Sequence, residues 1–170
     1  MGDVLFECTY TDSEEMLTES YRNVREKSKV DLGRALIIFS VCVLVLAIWL
    51  RQLSWGMLAV VLFGAGWYCL RLPAIKAQNV MNNIRRINNG TVPSARIVID
   101  DKITHYYKLD TVVILHENLR FAYFLKRSIV LIGEEGYLTF DRAGFTKGSP
   151  EEFETYIREK CPYVQVFHKA

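Results

Sequence analysis

The stretch ALIIFSVCVLVLAIWLRQLSWGMLAVVLFGAGWYCL, Ala35 to Leu70, holds two long apolar runs parted only by Arg51–Ser54. A helix rises about 1.5 Å per residue and a bilayer's hydrocarbon core is about 30 Å thick, so a span needs about 20 mostly apolar residues. With Leu32 and Leu53 included the first run is long enough, because Arg34 and Arg51 can lift their guanidinium groups toward the headgroups. The second, Leu53–Leu72, is apolar up to Arg71. Apolar side chains cover every face of both, so helices formed from them must be surrounded by apolar material. A chain of 170 residues has little with which to bury two such rods, which predicts a transmembrane hairpin.

Aromatic and basic residues fit that hairpin. Trp49 and Trp55 bracket the turn, and Trp67 and Tyr68 approach the opposite boundary, where amphipathic rings favour a membrane interface. Arg22, Arg25, Lys27, Lys29 and Arg34 precede the first span, and Arg71, Lys76, Arg85 and Arg86 follow the second, whereas the turn holds Arg51 alone. The positive-inside rule then puts both termini in the cytoplasm. The expected location is a cell membrane, crossed twice. Gly56, Ala59 and Gly66 share one face of the second helix, and Ser40 and Ala47 one face of the first. Such faces suit close helix packing, within the hairpin or between copies.

The flanks are charged, water-soluble sequence. VLFECTY, Val4–Tyr10, alternates like a strand, and Thr11 with Glu14 fits a capping box opening a helix through SEEMLTESYRNVREKSK. The acidic start and the late apolar run do not fit a cleaved leader. After the hairpin, Pro73 can kink or end the helix. A linker helix then carries Val80, Met81, Ile84 and Ile87 as a stripe up to Asn88-Asn89-Gly90. From Pro93 the pattern turns to period two: SARIVID, ITHYYKL, TVVILHE, LRFAYFL, SIVLIG and YLTFDRA, with turns at Glu117-Asn118, Lys126-Arg127 and Glu134-Glu135-Gly136. Connections this short predict antiparallel pairing. SPEEFETYIREK opens a last helix with Ser149 as N-cap, Pro150 in its first turn and Glu152 closing a capping box. Its apolar face is Phe153, Tyr156 and Ile157.

The predicted whole is an α+β membrane protein. It comprises a strand-and-helix arm over 1–31, a transmembrane hairpin over 32–72 (spans 32–50 and 53–72), a linker helix over 73–90, and over 91–170 a bent antiparallel β-roll of the pleckstrin-homology-like kind, capped by the C-terminal helix. In this order of elements, and in the stretch Ile129–Lys160 with Arg142, Phe145 and Glu152-Phe153, the chain resembles the YcxB-like family of bacterial membrane proteins. That family often shows Pro-Lys before the arginine, where this chain has Phe140-Asp141. The resemblance implies topology and fold, with no settled activity.

Chemistry-bearing motifs are sparse. His105, His116 and His168 are scattered, and the paired carboxylates Asp100-Asp101, Glu134-Glu135 and Glu151-Glu152 fall at turns or a helix start. Cys8, Cys42, Cys69 and Cys161 lack metal or redox spacing. No nucleotide loop or nucleophile elbow is written in the chain. No cofactor or metal is expected, and a net charge of +2 with mixed signs speaks against nucleic acid. The candidate functional residues are therefore basic: Arg71, Lys76, Arg85 and Arg86 near the inner leaflet, and Lys126, Arg127 and Arg142 at strand ends, facing anionic headgroups or a protein partner. The expected role is a membrane-anchored, non-catalytic interaction module. A bacteriocin or toxin self-immunity protein and a membrane enzyme are the alternatives.

Overall fold

The computed structural model describes residues 4–108, 110–134 and 136–168; Leu109 and Glu135, read above as part of a strand and of a turn, lie outside them. The architecture is α+β: two long apolar helices and two mainly antiparallel sheets.

The chain opens with β1 (Phe6–Thr11), then α1 (Glu14–Ser20), a π-helical turn (Tyr21–Arg25) and α2 (Lys27–Leu50). The cap of α1 is Ser13, whose hydroxyl accepts a hydrogen bond from the Met16 amide at 3.2 Å. Thr11, the cap expected from sequence, is instead the last residue of β1, paired with Ser94. The single arm helix expected from sequence is divided, because the backbone leaves helical geometry at Glu26 (φ −116°, ψ 19°). Beyond the Arg51–Gln52 turn, α3 runs unbroken from Leu53 to Ile87. Pro73 lies buried inside it, so the expected linker helix is the lower half of the same rod.

The α2–α3 seam is lined by absent or small side chains. Ser40, Ala47, Ala59 and Gly66 are buried, and so are Val30, Gly33 and Val43. Gly33 and Gly66 let the backbones touch. A Cβ at Gly66 would stand 2.8 Å from both the Gly33 carbonyl oxygen and Ile37 Cγ1, and one at Gly33 would stand 2.8 Å from the Gly66 oxygen. The small faces predicted for packing are consumed within the hairpin, apart from Gly56, where a Cβ meets nothing within 4 Å.

Then follow β2 (Ser94–Ile99), β3 (Lys102–Tyr107), β4 (Asp110–Leu115), β5 (Leu119–Phe124), β6 (Ser128–Gly133), β7 (Gly136–Asp141), β8 (Phe145–Lys147), α4 (Pro150–Lys160) and β9 (Gln165–His168). The sheet orders are β4-β3-β2-β1-β8 and β7-β6-β5-β9. β1 therefore lies inside the first sheet, between β2 and β8, although the whole hairpin separates it in sequence from β2. One pairing is parallel, β5 with β9, because α4 carries the chain back across the domain.

Alternation decides what is buried. Phe6, Cys8 and Tyr10 point into one core with Ile97, Ile99 and Ile103, against Phe124, Ile129, Leu131 and Phe140 of the second sheet. α4 closes this core with Phe153 and Ile157, both fully buried, and the Ser149–Glu152 capping box is present as predicted. The Phe153 ring packs within 5.6–6.1 Å of Phe6, Phe124, Phe140 and Phe145. Gly148, at φ 75°, sits so close to Phe6 that a Cβ would fall 2.4 Å from the ring, which is why a glycine precedes the α4 cap.

Candidate functional site

Three surfaces stand out. The first is the outside of the hairpin. Trp49 is 80% exposed and Leu53 85%, and Trp55, Trp67 and Tyr68 are also exposed, as are Ile38, Val45, Ile48 and Val60. Only 22% of the apolar window of α2 and 17% of that of α3 is buried. Both helices are long and apolar enough to cross a membrane. A soluble monomer rarely leaves a contiguous apolar surface on this scale open to water.

The second surface holds the basic residues, which the structure divides. Arg71 lies over the Trp67 ring at 5.1 Å. Lys76 pairs with the buried Glu26, which also binds Lys29 at 2.8 Å. Lys29 first and then Lys76 hold the Glu26 carboxyl below its ordinary range. Lys76 thus clamps α3 to the break between the π-helical turn and α2. Arg85 and Arg86 are exposed in the last turn of α3, about 21 Å beyond Arg71 along the helix.

Lys126, Arg127 and Arg142 meet at the β5–β6 turn beside α1, around a groove that Glu15, Asp141 and Ala143 also line. Two of the three are neutralised there. Arg127 pairs with Glu15, and its amide donates to Glu19 at 3.1 Å. Arg142 donates to Glu151 at 2.7 Å and to the Leu125 carbonyl at 3.3 Å, and its guanidinium holds the Glu151 carboxyl below its usual range. These contacts fasten α1 and the start of α4 to the second sheet. Lys126 has no ion pair among the described residues.

The third surface, a cleft of about 260 Å³, was not read from sequence. It opens between the edges β4 and β7 and is roofed by α1, the π-helical turn and α3. Its walls are Leu17, Val80, Val112, Ile114 and Leu138, and its polar groups are Tyr10, Asp12, Arg25, His105 and Thr139. Tyr10 Oη stands 3.1 Å from both His105 Nε2 and the Thr139 carbonyl oxygen. A hydroxyl has one proton and a carbonyl only accepts, so a proton on Nε2 completes both bonds. Burial lowers the pKa of His105 and raises those of Tyr10 and Asp12. Arg25 lies over the rings of Tyr21 and Tyr137 at 5.1 and 4.8 Å. Tyr10 and His105 meet only because β1 joins the sheet containing β3, a pairing that no local pattern announces.

Among the described residues no cluster of three or more His, Cys, Asp or Glu is placed to hold a metal. Cys8 is fully buried, and burial pushes its thiol up to about 12, which suits an inert core residue. No family model, curated protein or solved structure matches the chain.

Proposed function

We propose that the chain is a membrane-anchored interaction module of a bacterial plasma membrane, non-catalytic, with both termini in the cytoplasm and a pleckstrin-homology-like roll of the YcxB-like type held beneath the bilayer. The observation that carries the reading is the uncovered apolar surface of α2 and α3, which lipid would solvate. The packing of two β-sheets and a C-terminal helix around one core supports the roll. Because β1 precedes the hairpin and pairs with β2 behind it, a hairpin in lipid ties the β domain to the membrane at both Glu26 and Lys76. Arg71 and Lys76 are then the cations near the headgroups. Arg85 and Arg86 stand beyond a Debye length of about 8 Å from that plane, free for a protein partner.

Cysteine labelling tests the threading. In intact cells an impermeant maleimide is expected to modify Gln52→Cys in the turn and to spare Lys160→Cys on α4 until the cells are opened. Labelling of Lys160→Cys from outside would reverse the topology, and recovery of the chain in the soluble fraction would remove the anchor.

A further inference from the structure

The polar groups of the cleft between β4 and β7 fall into two sets. Tyr10, His105 and Thr139 satisfy one another through the Tyr10 hydroxyl. Asp12 and Arg25 do not. Asp12 lines the cleft without a hydrogen bond or an ion pair among the described residues, and burial holds its carboxyl above the ordinary range. Arg25 lays its guanidinium over the Tyr21 and Tyr137 rings and donates to Tyr21 Oη at 3.3 Å. It too has no acidic partner among the described residues. Tyr107, whose ring stacks on His105, holds a buried hydroxyl with no hydrogen-bond partner among the described residues, and the Asp12 charge reaches it. Unmet polarity of this kind is uncommon in a folded protein and calls for a partner. The two unpaired charges are opposite in sign, line one cleft, and form no ion pair with each other. The rest of the wall is aliphatic: Leu17, Val80, Val112, Ile114 and Leu138.

We propose that this cleft binds a small zwitterion with a hydrocarbon body, of the free α-amino acid class, with its ammonium on Asp12, its carboxylate on Arg25 and its side chain on the aliphatic wall. Size sets the limit. Water takes about 30 Å³ per molecule, so a cleft of about 260 Å³ exchanges about nine waters for a ligand of about nine non-hydrogen atoms. Leucine has that size. The cleft falls below the range of about 300–1,000 Å³ that drug-sized ligands occupy, and a nucleotide or a diacyl lipid is too large for it. Charge sets the class. An anion alone would sit beside Asp12, a cation alone beside Arg25, and either would leave one charge unmatched. A zwitterion matches both. An ammonium against Asp12 also favours the ionised carboxylate that burial disfavours. The Arg25 guanidinium, held over two rings, keeps its N–H edge for a carboxylate. The half-exposed Val112 on the β4 edge is then part of the wall on which the side chain lies. The inference does not rest on the membrane reading; loss of the chain from the membrane fraction would count against the anchor alone.

The test is equilibrium dialysis of the full chain in mild detergent against radiolabelled L-leucine. Saturable binding is expected, with a Kd below about 1 mM. Isocaproate and isoamylamine keep the hydrocarbon body of leucine with one charge each, and each is expected to compete about ten-fold less well than unlabelled leucine. The variants separate the two charges. Asp12→Asn should abolish the preference for leucine over isocaproate, and Arg25→Gln the preference for leucine over isoamylamine. A merely structural role would not give that exchange. Val112→Trp, at an exposed site on the strand edge, should fill the cleft and abolish binding without lowering the melting temperature, which keeps the test decisive if either charge variant fails to fold. Lys126→Gln, outside the cleft, should bind leucine as the parent does. The proposal is overturned if leucine shows no saturable binding, if either analogue competes as well as leucine, or if Val112→Trp binds as the parent does.

Discussion

The hairpin and the β domain pack by opposite rules. In the β domain large side chains fill the centre: the Phe153 ring touches four other rings, and polar residues face outward. In the hairpin the large side chains are outside, and the seam is built from Gly33, Ser40, Ala47, Ala59 and Gly66. On the proposed membrane reading, the difference follows from the solvent each half would meet. Water drives a chain to hide its bulk, whereas lipid is as apolar as leucine and leaves close backbone contact as the main gain from helix association.

Mutations should break the two halves differently. Phe153→Ala is the largest expected effect. Removing a fully buried ring at the centre of the aromatic cluster should cost about 3–5 kcal/mol, read from urea unfolding of the full chain in detergent. A loss below 1 kcal/mol would mean that the aromatic cluster does not hold the domain. In the hairpin, enlargement rather than truncation should do the damage. Gly66→Leu drives a side chain into the Gly33 carbonyl and should cost about 1–3 kcal/mol, with loss of the helix pair on heating in mild detergent. Gly64→Leu meets nothing within 4 Å and should be tolerated. Equal sensitivity at both glycines would contradict the seam.

The smallest effect sharpens the contrast at the cleft. Burial lowers the folded pKa of His105 below its ordinary value of about 6.5, so the unfolded chain takes up this proton first. Its contribution is complete above that ordinary value, and stability falls as pH drops from about 6.5 toward the folded value. His105→Gln should remove that part of the slope in thermal melts between pH 7 and 5. An unchanged slope would place the titrating group elsewhere.

Local signals were legible where neighbours in sequence are neighbours in space. The consecutive strands from β2 to β7 form where the β-favouring stretches lie, and Ser149, Pro150 and Glu152 mark the start of α4. What stayed hidden depends on distant partners. β1 reads as a strand, but its place between β2 and β8 is set by the fold, and with it the meeting of Tyr10 and His105. Pro73 reads as a kink or an end of the helix. It is buried within a continuous helix, where tertiary packing outweighs the lost backbone bond. Gly33 carries no mark in a polar-to-apolar transition, yet it faces Gly66. Of the basic residues, sequence located the charges but not their counter-ions. Glu15, Glu151 and Glu26 neutralise Arg127, Arg142 and Lys76 and turn them into fasteners.

The three tryptophans, Trp49, Trp55 and Trp67, all belong to the hairpin, so tryptophan fluorescence reports on it alone. In vesicles, lipids carrying a quencher at headgroup depth should quench this emission strongly, while aqueous acrylamide quenches it weakly. Ready quenching by acrylamide, with lipid-borne quenchers inert, would mean that the apolar faces of α2 and α3 do not lie in lipid.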